Sequence, residues 1–258
     1  MCKFFSSVSD GKGKFMYFDS KLRKECLSGK LNYEPDSHTS IADYFGYKGA
    51  KEDSLNKYEY SPLTKNFQID QLNTKDDSEK IKDICLNLDF KKIVPELIIK
   101  PIVHPFQLNT TKVYKKDITL LKSWASVWDS VGASVWASAG ASVRDSLWAS
   151  VWASVRDSLW DSVWASVGAS VRDSVWASVR VSVWDSVWGY EGSLYKLKRN
   201  EWKYTEKIKT KGYPYQCLVK LWKQGLVPSF DGTTWRLHSG KNAKVIFEIS
   251  QEELRRIK

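Results

Sequence analysis

Histidine is nearly absent from this sequence: His38, His104 and His238 are the only three in 258 residues, and no catalytic triad can be assembled from their spacing. Cysteine is almost as sparse. Cys2, Cys26, Cys85 and Cys217 form no Cys-x-x-Cys pair and have no His at ligand spacing, which argues against a zinc site or disulfide framework and for reduced thiols. No apolar run approaches twenty residues and no signal-peptide core opens the chain, so no membrane span is expected and a cytoplasmic setting is. The run Asp10-Gly11-Lys12-Gly13-Lys14 lacks P-loop spacing, and nothing implies a cofactor or metal.

What is abundant is repetition. From Ser126 to Gly189 the chain runs through sixteen tetrads of the form Ser-Val-x-y, with Ala139, Leu147 and Leu159 replacing Val in three of them, x only Trp, Arg or Gly and y only Ala, Asp, Val or Gly. Such an array implies surface, length or assembly rather than a catalytic pocket. Its x positions carry Trp128, Trp136, Trp148, Trp152, Trp160, Trp164, Trp176, Trp184 and Trp188, with Arg144, Arg156, Arg172 and Arg180. Gly132, Arg144, Arg156, Gly168 and Arg180 recur every twelve residues, a superperiod laid over the tetrad.

Two architectures suit the array. In an α-helix a period of four drifts by about 40° per tetrad, so a Trp stripe winds around the rod. Ala favours that helix, whereas Val, Ser and the internal Gly132, Gly140 and Gly168 disfavour it. The entering segment from Asp117 to Trp124 reads as a helix start with Asp117 as N-cap. In a solenoid each tetrad is one side of a coil, with Val inward, Ser beside it and x and y displayed as ladders, resembling pentapeptide-repeat proteins with one residue fewer per side. Strict register favours the solenoid. The expected fold is therefore α+β flanks around an inserted tetrapeptide-repeat β-solenoid, one long α-helix being the alternative. The expected division is an N-terminal α+β domain at 1–117, the array at 118–189 and a basic C-terminal α+β region at 190–258, which either stands alone or closes on 1–117.

Within the flanks, Phe4–Val8 and Phe15–Phe18 read as a hairpin around Asp10–Lys14, and Tyr58–Tyr60 with Asn66–Ile69 as a second around Ser61-Pro62-Leu63-Thr64. Helices are expected from Ser20 to Gly29, from Ser40 to Gly46, from Asp77-Ser78 through Cys85, and from Tyr215 to Gly225. Residues 93–106 read as extended, 200–207 as a strand and 227–232 as a turn, with Thr234–Leu237 and Lys244–Ile249 as paired strands.

The net charge of +10 is uneven: four Arg against six Asp leave the array at −2, so the flanks carry +12. Lys196, Lys198, Arg199, Lys203, Lys207, Lys209 and Lys211 are interleaved with Tyr195, Trp202, Tyr204, Tyr213 and Tyr215, the mixture a phosphate-contacting, base-stacking surface uses. A solvated face with inward aromatics is the plainer reading, because no nucleic-acid motif accompanies the charge. Removal of Met1 would expose Cys2 as an N-terminal nucleophile, and the residues around His38 and His238 include acid–base types; packing roles are preferred for both, and no enzyme is expected.

The opening Met1-Cys2-Lys3-Phe4-Phe5, the stretch from Pro35 to Tyr47, the segment from Pro95 to Pro101 and the residues from Gly225 to Asp231-Gly232 and from Trp235 to Gly240 resemble a family of bacteriophage and prophage proteins that carry a variable tetrapeptide array between such flanks. The resemblance implies expression in an infected bacterial cytoplasm and a host-interaction or anti-defence role, and it carries no activity or functional residues across. Together the features point to a non-enzymatic interaction or self-assembly protein that presents Trp and Arg ladders to a protein partner or another copy. The alternative is a nucleic-acid-binding protein that uses residues 195–223.

Overall fold

The computed structural model describes residues 5–95, 97–100, 102–131, 135–144 and 176–257. The described residues divide into two compact units, the first within 5–100 and the second within 102–257. Both are mixed α/β, each with one small antiparallel sheet.

In unit 1 the strands β1 (Phe5–Ser9), β2 (Phe15–Met16), β3 (Asn56–Ser61) and β4 (Asn66–Gln71) pair in the order β2-β1-β3-β4. The first turn closes because the Asp10 carboxylate accepts the N–H groups of Lys12 and Lys14 at 2.8 and 3.0 Å. Gly11 sits there at φ +66°, and a Cβ would lie 2.7 Å from the Lys75 carbonyl oxygen, so only glycine fits. Helix α1 (Ser20–Leu27) is capped by Asp19, and α2 (His38–Tyr44) by Ser37. Both caps precede the residues expected from sequence, because these are the side chains whose extended backbone lets them reach the first free N–H groups. Helices α3 (Ser78–Asn87) and α4 (Phe90–Ile93) follow. Val8, Met16, Phe18, Cys26, Ile41, Ala42 and Leu55 form one core cluster.

In unit 2 the strands β5 (Val227–Phe230), β6 (Thr234–Ser239) and β7 (Lys244–Ser250) pair in sequence order. The helices are α5 (Lys115–Val131), α6 (Val135–Arg144), α7 (Trp176–Glu191), α8 (Gln216–Trp222) and α9 (Gln251–Arg256). Helix α7 lies along β5, α5 packs on α8, and α6 packs on α7. Aromatics fill the interior: Tyr190 stacks on Trp222 with centroids 5.0 Å apart, and Phe230 on Trp235 at 4.6 Å.

The described residues of the array do not form the β-solenoid expected for it. They are helical in α5, α6 and α7, and no solenoid strand occurs among them. Nor is the array one rod, since α6 packs against α7. Two features overcome the weak helix propensity of Ser and Val. Burial in unit 2 rewards the helices through Val127, Val131, Val135, Val183 and Val187, all at or below 9% exposure. Serine hydroxyls turn back to carbonyls one turn earlier, Ser130 to Ser126 at 2.6 Å, Ser142 to Ser138 at 2.6 Å and Ser186 to Ser182 at 3.0 Å, which satisfies them within the helix without strengthening it. As the second feature, Asp117 lies inside the first turn of α5, where its carboxylate accepts the Tyr114 N–H at 2.9 Å instead of capping from outside.

Two flank elements also differ. Residues 199–201 form a 3₁₀ turn where a strand was expected. Residues 227–230, expected as a turn, form the edge strand β5. Pro228 is tolerated there because its carbonyl points to Ser186 of α7, so its missing N–H faces away from the β6 ladder.

Candidate interaction site

The site grows from the serine column of the array. Serines four apart lie one turn apart on a helix, about 6 Å from each other and rotated by about 40°, so two serines share a face and a third turns away. Each pair therefore faces one neighbour. On α6 the neighbour is residue 203: Ser138 Oγ donates to the Lys203 carbonyl at 2.6 Å, and the Lys203 N–H donates to Ser142 Oγ at 2.9 Å. On α7 the neighbour is β5: the Phe230 N–H donates to Ser182 Oγ at 2.8 Å, and Ser186 Oγ lies 3.2 Å from the Pro228 carbonyl, its one proton shared between that oxygen and the Ser182 carbonyl at 3.0 Å. In both places helix side chains satisfy main-chain groups that no strand pairs.

On α5 the corresponding pair is Ser126, which is exposed, and Ser130, which is half-buried. Both line a groove of about 450 Å³ between α5 and residues 207–210, and an adjoining cavity beside α9. Lys122, Lys207, Lys209 and Arg255 line these two spaces together with Asp129. Lys122 Nζ donates to the Arg255 and Ile257 carbonyls, an arrangement that favours the C-terminal end of α9. Arg255 pairs with Asp129 at 3.1 Å.

Arg199 shapes the opposite wall. Its guanidinium donates to Thr205 Oγ1 at 2.6 Å and to the carbonyls of Thr205, Ile208 and Thr210 at 2.7, 2.8 and 3.2 Å. The planar fork thus folds 205–210 into a loop that displays Lys207 and Lys209. Of the basic residues singled out by sequence, Lys196, Lys198, Lys203, Lys207, Lys209 and Lys211 are exposed, while Arg199 is spent on this loop. The interleaved aromatics turn inward: Tyr195, Trp202 and Tyr215 are buried, and Tyr213 donates to the Gly189 carbonyl at 2.6 Å. Tyr204 is exposed, at the strained φ of 59°.

The ladder residues are distributed differently. Trp128 is half-buried, donates through Nε1 to Asp185 at 2.8 Å and sets its ring edge-on to Phe230 and Trp235. Trp184 is half-buried and Trp188 is 3% exposed. Trp136 and Arg144 lie on α6, and Trp176 and Arg180 on α7. Trp148, Trp152, Trp160, Trp164, Arg156 and Arg172 lie outside the described residues, as does Cys2.

The other candidate chemical groups are enclosed. His238 donates from Nδ1 to the Ala243 carbonyl at 2.9 Å, which fixes Nε2 as the acceptor of the Ser229 hydroxyl at 2.7 Å. Burial lowers the His238 pKa and keeps the ring neutral, but Ser229 has no exposed surface for a substrate to reach. His38 is buried with Nε2 on the Tyr58 carbonyl at 3.1 Å. Burial pushes the Cys85 and Cys217 thiols up to about 12 and about 11, away from the reactive thiolate. Among the described residues no cluster of His, Cys, Asp and Glu has the makings of a metal site, and no helix is long and apolar enough to cross a membrane.

Sequence reasoning missed Lys122, Ser126, Ser130 and Arg255. The signal for the serines was present in their fixed spacing of four, one hydroxyl per helical turn. No known family model, curated protein or solved structure matches the chain.

Proposed function

We propose that this chain is a non-enzymatic interaction protein whose second unit receives an acidic protein partner in the groove beside α5. The observation that carries the reading is the lining, where four cationic side chains, Lys122, Lys207, Lys209 and Arg255, stand with Asp129 around two adjoining spaces. Arg199 supports it by holding the Lys207 and Lys209 loop in place. Nucleic acid, the alternative raised by the same basic segment, would use rings for stacking, and Tyr195, Trp202 and Tyr215 are buried. Within this reading, the resemblance of the flanks to phage and prophage proteins points to a partner in a bacterial host.

The test is fluorescence anisotropy with labelled poly-glutamate and labelled oligo-thymidine as separate probes, at low and at physiological salt. Poly-glutamate is expected to bind the full-length chain, and Lys207→Glu with Lys209→Glu to abolish it. Binding of oligo-thymidine without poly-glutamate would replace this reading with the nucleic-acid one.

A further inference from the structure

We infer that the groove takes its partner as an extended acidic segment and reads that segment's backbone through the hydroxyls of Ser126 and Ser130. This rests on the interaction reading above and adds the conformation of the occupant and the groups that recognise it. Three serine pairs within one chain support it. Ser138 with Ser142 engages the N–H and C=O of Lys203, and Ser182 with Ser186 engages the Phe230 N–H and the carbonyls of Phe230 and Pro228. Ser126 with Ser130 has the same spacing and the same internal bond, Ser130 Oγ donating to the Ser126 carbonyl at 2.6 Å as Ser142 donates to Ser138 at 2.6 Å. With its proton committed to that carbonyl, Ser130 Oγ presents lone pairs outward, the state in which Ser142 accepts the Lys203 N–H; on α7 the order is reversed, Ser182 accepting the N–H and Ser186 meeting the carbonyl, so the Ser138 and Ser142 pair is the one that Ser126 and Ser130 copy. The Ser126 hydroxyl remains a donor, as Ser138 is toward Lys203. Opposite the other two pairs stands protein backbone; opposite this one stands the groove.

An extended chain matches the spacing. Its N–H and C=O groups point to one side at alternate residues, about 6.6–6.8 Å apart, close to one turn of serine separation. On α7 this match is realised, since Pro228 and Phe230 are alternate residues of a strand. The charge of the occupant follows from Lys207 and Lys209 on the loop wall, which complement carboxylates alternating along such a strand. The committed occupant is an acidic extended segment of a partner protein.

The experiment uses the full-length chain and a labelled alternating peptide of four Asp-Val units, with two analogues, one N-methylated at the Asp amides and the other at the Val amides. The plain peptide is expected to bind, and one analogue to bind about tenfold more weakly while the other is little changed, because only one set of amides faces the helix. Ser126→Ala with Ser130→Ala is expected to weaken the plain peptide about tenfold and to leave the sensitive analogue no weaker than it already is. Circular dichroism of the variant checks its fold. Equal binding of both analogues, or an unchanged affinity in the serine variant, would overturn the backbone-reading inference while leaving a purely electrostatic acidic interaction standing. Loss of all acidic-peptide and poly-glutamate binding would overturn both. A dimer broken by the serine variant would put a second copy in the groove and overturn the assigned partner.

Discussion

The buried seam around Arg23 in unit 1 is held by charge, whereas the helix–sheet seam of unit 2 is held by neutral hydroxyls. In unit 1 the Arg23 guanidinium places two hydrogen bonds on Asp36 at 2.6 and 2.8 Å, with both side chains almost fully buried. The Asp77 carboxylate accepts from Tyr58, Asn56 and Ser9 together. In unit 2 the corresponding work at the helix–sheet seam falls to Ser182 and Ser186. A varied sequence can place one ion pair where it is needed, whereas a repeat offers the same small hydroxyl at every turn and leaves selection to its neighbours. The two kinds of seam should therefore fail differently.

The largest effect is expected from Asp36→Asn. It leaves the Arg23 charge buried without its counter-ion and should cost unit 1 about 3–5 kcal/mol. Every described Trp lies in unit 2, so in urea the circular dichroism midpoint should move more than the Trp fluorescence midpoint. Equal movement of both signals would erase the distinction between the units. Next comes Ser182→Ala, which strands the Phe230 N–H and should cost unit 2 about 1–3 kcal/mol, read this time in Trp fluorescence.

A pH experiment sharpens the contrast further. Burial lowers His238 below its ordinary value, and burial lowers His104 in the same unit. Below the unfolded pKa of about 6.5 the unfolded chain binds the proton that the folded chain refuses. Stability of unit 2 should thus be full above that value and decline as the pH falls from about 6.5 toward the lowered folded pKa values. His238→Gln should flatten part of that slope, and an unchanged slope would remove His238 as its source. The smallest effect on stability belongs to Ser126→Ala with Ser130→Ala, within about 0.5 kcal/mol in urea, since no neighbouring backbone depends on them. A loss like that of Ser182→Ala would show that the open pair is structural after all.

How much was legible in the sequence depended on how local the determinant was. The paired strands around Asp10–Lys14 and around Ser61–Thr64 form where turn chemistry places them, and β6 pairs with β7 as alternation suggests. Helix α8 stops before Gly225 at φ +74°. The array was misread because propensity charges Ser and Val against a helix, while the compensation comes from distant partners: Trp124 against Tyr215, Trp128 against Trp235. Strand β5 was read as a turn for the same reason, since its Pro is accommodated by Ser186 rather than by its own neighbours. In the candidate site Lys207 and Lys209 were visible as charge, but the fork of Arg199 that aims them, and the approach of α9 to α5, exist only after folding.

The bond from Trp128 to Asp185 has one more consequence. A chain built from copies of one word faces an indexing problem, because sliding α7 by a tetrad along β5 would present serine in place of identical serine. The hydroxyls cannot tell one address from the next. The variable fourth letter can: Asp185 stands where the preceding tetrad has Val181, and only the carboxylate gives the indole a partner. That contact tells this tetrad from those on either side, which carry Val181 and Gly189, so the narrow variation within the array is information that opposes a slide by one tetrad.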